Sequence, residues 1–278
     1  MPEHRRRLFC EINPAFYEIS MKKEICRRHL RNLLSKEKFA GTRQTDRLPN
    51  VVSSHSSYLI KKGKDIDPVL QENKAVNIDL ACRKINGIVV HPGETFSFWK
   101  AVGSTSRRKG YKDGRVIVQN RITSGEGGGL CNLGNTIHLL VLDSPLQVTE
   151  IHFHSDALAP DEGERVPFRS GTSVCYNHLD YRFVNTTDQD VQLVLWVEDR
   201  TLYAELRSLR PFPWRYELVE EGHHFRQEEN GKYYRVSKIY RRVIDRSTGA
   251  DLGKELLRDN HSEVMFDYSL IPAEQIKA

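Results

Sequence analysis

Apolar positions along the chain change period several times, and each change predicts an element. Leu133, Ile137, Leu140 and Val141 recur at spacings of four, three and one, the face of a helix that ends near Asp143-Ser144-Pro145. Ala75, Ile78, Cys82 and Ile85 make the stripe of a second helix over about Pro68–Asn86, so Cys82 reads as core. Asp67 suits its cap, Pro68 its first turn and Gly87 the position past its end. Glu18–Leu34 reads as a third, amphipathic helix. Cys26, Leu30, Leu33 and Leu34 share one face, with Lys22, Lys23, Arg27, Arg28 and Arg31 mostly opposite. We expect it to pack on the core with a solvated basic face; weak contact with an anionic membrane surface is the alternative.

Between the helices the pattern turns to strands. Residues 40–67 are polar and read as a surface connection, with Ser53-Ser54-His55-Ser56-Ser57 and Lys61-Lys62-Gly63-Lys64. Short strands are expected at Ile88–Val90, Thr95–Trp99 and Arg115–Gln119, with a turn shaped by His91-Pro92-Gly93-Glu94. Beyond Pro145 come Gln147–His154, Leu179–Asn185, Val191–Glu198 and Leu202–Leu209, spaced as an antiparallel meander. Arg215–Glu220, Tyr233–Arg246 and Ser262–Tyr268 extend the β-rich part, with a turn at Asp245–Gly249. The class is α+β, a mainly antiparallel sheet with a few helices, one of which starts at Gly127-Gly128-Gly129-Leu130-Cys131.

Charge narrows the function. Residues 1–38 hold ten Lys and Arg against five Glu, which equals the +5 of the whole chain, so the remainder is neutral. That argues against an extended nucleic-acid surface. No apolar run is long enough to span a membrane, and the basic N-terminus around Arg5-Arg6-Arg7 lacks a signal-peptide h-region, so the chain reads as cytoplasmic. Five cysteines (Cys10, Cys26, Cys82, Cys131 and Cys175) without a C-x-x-C pair argue against a disulfide framework or structural zinc.

The glycine run carries the candidate chemistry. Cys131 falls in the first turn of a helix, where unpaired N–H groups and the helix dipole favour thiolate over thiol. The same N–H groups suit a developing oxyanion. The bland alternative is a small buried hydrophobe. A nucleophilic cysteine needs a base. His152 and His154 are the candidates, at i and i+2 of the expected strand and so on one face, with Ser155 next to them. His138, seven residues after Cys131, reads as a partly buried polar side chain. Cys131, His152 and His154 are also types that zinc accepts, but no fourth ligand stands out, and no metal or other cofactor is assigned.

At this point the chain resembles a known family. His91-Pro92-Gly93-Glu94-Thr95-Phe96-Ser97-Phe98-Trp99 is similar to the opening of the VanW domain, Gly110-Tyr111-Lys112 to its G-Y-K, and Gly127-Gly128-Gly129-Leu130-Cys131-Asn132 to its G-G-G-x-C-Q. His154-Ser155 and Asp180-Tyr181-Arg182-Phe183-Val184-Asn185-Thr186-Thr187 resemble two further blocks. The resemblance divides the chain into a basic helical segment and connection (1–76), a VanW domain (77–207) and a β-rich extension (208–278). The flanks resemble short, stand-alone members linked to glycopeptide-resistance gene clusters.

The resemblance implies an accessory role in vancomycin resistance. For some VanW domains it implies L,D-transpeptidase chemistry on peptidoglycan stem peptides, through a cysteine acyl-enzyme. Carried over, it makes Cys131 the nucleophile and His154, or its neighbour His152, the base. Gly127, Gly128, Gly129, Leu130, Asn132 and Ser155 become oxyanion or substrate-binding positions. The expected partner is a stem peptide or its precursor. Three positions depart from the family pattern: Asn132 stands for Gln, Ile151 for Arg, and Gly171 for Asp in Arg169-Ser170-Gly171-Thr172-Ser173-Val174. Those losses leave a non-catalytic binding protein as the alternative reading.

Overall fold

The computed structural model describes residues 13–61, 66–118, 121–161, 163, 165–168 and 171–277. Arg5–Arg7, Cys10, Lys62-Gly63-Lys64, Gln119 and Arg169-Ser170 lie outside the described residues. Among the described residues, four α-helices and antiparallel sheets make up the expected α+β architecture.

The central sheet is built on the hairpin of β8 (Val191–Glu198) and β9 (Thr201–Ser208), whose inward positions alternate with half-exposed ones along β9. β1 (Asn50–Tyr58) pairs with the free edge of β9, and β2 (Val89–Val90) with that of β8. The stretch expected to be a surface connection therefore supplies a sheet strand. Its serines give no apolar alternation, and only Ser53 is buried, donating its hydroxyl to the Leu140 carbonyl at 2.9 Å. α2 (Pro68–Ile85) starts as read: Asp67 accepts from Val69 N–H at 2.8 Å, and Pro68 fills the first turn.

A second sheet orders β3 (Thr95–Ser97), β7 (Arg182–Val184) and β6 (Gln147–Glu150) as β3-β7-β6. All three are shorter than expected. Ser97 turns the chain into α3 (Phe98–Val102), its hydroxyl accepting from Lys100 N–H. The fully buried Asp180 carboxylate collects Ser97 Oγ at 2.6 Å, Trp99 N at 3.0 Å and Arg182 Nε at 2.8 Å, a polar knot in place of a ladder. β4 (Asp113–Val118) and β5 (Arg121–Glu126) form a hairpin leading into α4 (Leu130–Leu142). Helices and central sheet enclose one apolar core, including Ile78, Cys82, Ile85, Leu133, Ile137, Phe183 and Leu195.

β10 (Trp214–Gln227), β11 (Tyr233–Asp245) and β12 (Asp251–Glu263) form a separate meander of long strands. It is tied to the rest by Arg241 donating to the Ser144 carbonyl at 2.9 Å and by Ser155 Oγ donating to the Glu263 carbonyl at 2.6 Å.

The helix α1 (Pro14–Leu34) sits the opposite way from expectation. Its polar face is the docked one, where buried Arg28 donates to Glu150 at 2.7 Å. Leu30, Leu33 and Leu34 are 57%, 80% and 73% exposed. One buried ion pair, not the leucine stripe, sets the docking face.

Candidate functional site

The glycine bend is held from α2. Gln71, Lys74 and Asn77, three residues apart, are all buried on the face that also carries Ile78 and Cys82. Asn77 Nδ2 donates to the carbonyls of Lys112 and Gly128, each at 2.9 Å, and its Oδ1 accepts from Lys112 N–H at 2.8 Å. A Cβ on Gly128 would lie 2.3 Å from the Gly114 carbonyl, so backbone meets backbone there. Gly129 has φ of 99° and caps α4, and a Cβ on it would lie 2.3 Å from Lys74 Cγ. The bend is thus clamped between β4 and α2. A polar row at helical spacing in α2 was the available signal for this clamp, masked by the apolar stripe beside it.

Cys131 sits in the first turn of α4, as expected, and its surroundings correct the expected acidity. The thiol is half-buried and donates to the Val174 carbonyl at 3.7 Å. Burial pushes the thiol above its ordinary value, and backbone groups of Val174 and Cys131 offset part of that rise. Desolvation outweighs the helix terminus. Cys175 shares the cavity and is raised likewise, by burial and then by Cys131.

Cys131 lines a cavity of about 2070 Å³. Its walls are the inner face of α1 at Tyr17 and Met21, the glycine bend, described residues from His154 to Phe168 and from Gly171 to Leu179, and residues from Met265 to Leu270. Gly127, Gly128, Gly129, Leu130, Asn132 and His154 all line it; His152 and Ser155 do not.

The two histidines part company because β6 stops at Glu150. His152 turns away, its Nε2 2.9 Å from Glu150 Oε1. Burial opposes ionisation of Glu150, but hydrogen bonds from His152 and Arg28 and the charges of Arg28 and Arg182 hold it at about 2. His154 faces the cavity. Its backbone N–H donates to the Gly171 carbonyl at 2.8 Å, and its Nδ1 lies 2.7 Å from the Ser155 carbonyl. That carbonyl can only accept, so Nδ1 carries the proton and Nε2 keeps the lone pair. Burial lowers His154, as do Arg258 and Arg115, while the Ser155 carbonyl and Asp156 act against them. The imidazole is neutral, and among the described residues no hydrogen bond to its Nε2 occurs. Among the described residues no hydrogen bond joins it to Cys131.

Ser155 acts through its backbone, holding His154, while its hydroxyl bonds β12. Asn132 donates to Ser57 Oγ at 3.1 Å. Gly171 lies against Asp156, whose carboxylate is held down by the charges of Arg165 and Arg235 against the effect of burial. His138 is buried beside Tyr181, at 3.3 Å, and burial pushes it down to about 3. His91 bonds Asp190 at 2.8 Å beside its turn. No group of three or more His, Cys, Asp or Glu able to hold a metal ion occurs among the described residues. No described helix is long and apolar enough to cross a membrane.

Fold and site together define an α+β protein with a large cavity, walled in part by a cysteine at a helix start and a histidine of fixed tautomer. Residues 73–207 match the family model described as VanW like protein, so this part of the chain is VanW-like. It is 25% identical over 228 residues to the Vancomycin B-type resistance protein VanW of Enterococcus faecalis, covering 82% of each chain. It is 32% identical over 120 residues to the Uncharacterized protein YoaR of Bacillus subtilis, covering 43% of this chain and 38% of the other. No solved structure matches the chain.

Proposed function

We propose that the protein is a cysteine acyltransferase of the L,D-transpeptidase type, acting on peptidoglycan stem peptides or their precursors in the service of glycopeptide resistance. The link to resistance rests on likeness to the Enterococcus faecalis protein, which carries that word in its name. The observation carrying the chemistry is that Cys131, at the start of α4, and the lone-pair nitrogen of a neutral His154 belong to one cavity.

A neutral thiol and a neutral imidazole suit general-base activation at the moment of attack. Sγ attacks the substrate carbonyl as its proton passes to His154 Nε2. The first-turn amides of Leu130 and Cys131, which have no intrahelical acceptor, stabilise the oxyanion. The C–N bond breaks, the leaving amine takes the proton from the imidazolium, and a thioester remains. An acceptor amine then attacks the thioester, gives its proton to His154, and the proton returns to the departing sulfur. Incubation with a carbapenem or an activated acyl donor, followed by intact-mass spectrometry, tests this. A single adduct on the wild type, absent from Cys131→Ala, is expected; no adduct, or one that persists in the variant, overturns it.

The raised thiol and the lack of a thiol–imidazole hydrogen bond favour a second reading, a non-catalytic accessory that binds the same peptides. Calorimetric binding unchanged by Cys131→Ala, without turnover, distinguishes it.

A further inference from the structure

Lys74 is 9% exposed, yet it lines the cavity. A buried ammonium usually has a carboxylate partner, because leaving it unpaired is costly. Among the described residues its hydrogen-bond partner is the Gln71 amide oxygen, at 2.8 Å, and no carboxylate pairs with it. That oxygen is shared with Lys61 N–H at 3.2 Å. Arg115 lines the same cavity and makes no ion pair among the described residues. Glu126, on the neighbouring wall, is engaged by the Arg107 amide. Lys74 is pulled down to about 8, by burial first and then by the charges of Lys61 and Arg115, so these cations crowd one another. The Lys74 stem packs against Gly129, two residues before Cys131, so the lysine and the thiol flank the same glycine bend.

We propose that Lys74 and Arg115 form a subsite for an anionic group, carboxylate or phosphate, of the ligand held beside Cys131. This rests on the reading that the cavity takes a stem peptide or precursor. A peptide ending in D-alanine carries its carboxylate one residue past the carbonyl that the thiol would attack, so such a ligand brings an anion into the cavity that Lys74 and Arg115 line.

Calorimetry on the full chain tests it with three probes: a D-alanyl-terminated tetrapeptide with a free carboxylate, the same peptide as its C-terminal amide, and inorganic diphosphate. The wild type should prefer the carboxylate peptide over the amide by about tenfold or more. Lys74→Met and Arg115→Gln should each shrink that preference, with unchanged circular dichroism and with the amide bound as before. Diphosphate competition that depends on Lys74 would identify the anion as phosphate. Equal binding of both peptides without diphosphate competition overturns the subsite, as does a preference that survives Lys74→Met. The acyltransferase reading fails separately, if the preference holds while no adduct forms on Cys131.

The outer face of α1 supports a second, independent inference. Ile19, Cys26, Leu30, Leu33 and Leu34 fall on one side at helical spacing and are exposed, while Arg28 and Met21 point the other way. Lys22, Arg27 and Arg31 are exposed alongside the stripe, and Lys23 is exposed within it. An apolar stripe bordered by cations, on a helix docked by its opposite face, complements acyl chains under anionic headgroups. We infer that α1 rests on an anionic lipid surface, with the cavity on its inner side. Flotation with vesicles of phosphatidylcholine alone, and of an equal mixture with phosphatidylglycerol, tests it. Binding only to the anionic vesicles, lost at high salt and in Leu30→Ser/Leu33→Ser, is expected. No binding, binding unaffected by the double variant, or a dimer that the double variant dissolves overturns it.

Discussion

Asn77 and Gly128 are joined by a 2.9 Å hydrogen bond from a fully buried amide to the carbonyl of the glycine bend. The same side chain satisfies both backbone groups of Lys112, so one residue of α2 holds two segments in place. Asn77→Leu would leave these groups unpaired at a buried site. It should cost at least about 2 kcal/mol, read as a lower urea midpoint, while Glu72→Ala, an exposed change on the same helix, stays near wild type.

Gly129→Ala combines a left-handed φ with a collision against Lys74 Cγ. A loss of about 1–3 kcal/mol is expected, together with slower acylation of Cys131. Gly93→Ala shares the positive φ but meets open space, so it should cost less. Equal thermal shifts for the two would show that the contact with Lys74 is unimportant.

Cys131 should be slow towards iodoacetamide at neutral pH, with a rate that climbs only above the ordinary thiol range, since burial holds its proton. Peptide mapping should find the exposed Cys26 labelled first. Rapid labelling of Cys131 at neutral pH would mean a preformed thiolate.

Lys74 is held at about 8 against an ordinary 10.5, so the unfolded chain keeps its proton to higher pH than the fold does. The folded protein therefore bears the full penalty below pH 8, and the penalty fades as pH rises to 10.5. Lys74→Met should raise stability at pH 7 by about 1–3 kcal/mol. That advantage should shrink in melts at alkaline pH. A destabilised variant at pH 7 would mean that the ammonium is better solvated than its burial indicates.

Glu150 works in the opposite direction. Its folded value of about 2 lies below the ordinary 4.5, so its contribution is complete above pH 4.5 and drains away as pH falls towards 2. Glu150→Gln should cost about 2–3 kcal/mol at neutral pH and flatten the acid limb of the stability curve. Proteolysis within α1 should rise in parallel, because Arg28 is then left buried without its carboxylate.

The sequence was legible where one physical rule dominated. β8 was read with its observed ends, and α2 had a cap, a proline and a glycine that all agree. It misled where a tertiary contact overrode the local pattern. β6 ends at Glu150, and His152 bonds that carboxylate together with Arg28 instead of lining the cavity. β1 has no apolar alternation because it lies on a sheet edge with polar side chains on both faces. The place of Cys131 in the first turn of α4 was visible in the glycine run, but its burial depends on neighbours such as Val174, far away in sequence.

The edge pairing of β1 with β9 sets a limit on how the molecule can be trimmed. A fragment cut to residues 73–207 would begin inside α2 and strip β1 from the sheet. The open flank of β9 would then offer its unpaired amides and carbonyls to any neighbouring chain. Such a fragment invites edge-to-edge self-association, so an expression fragment should keep β1.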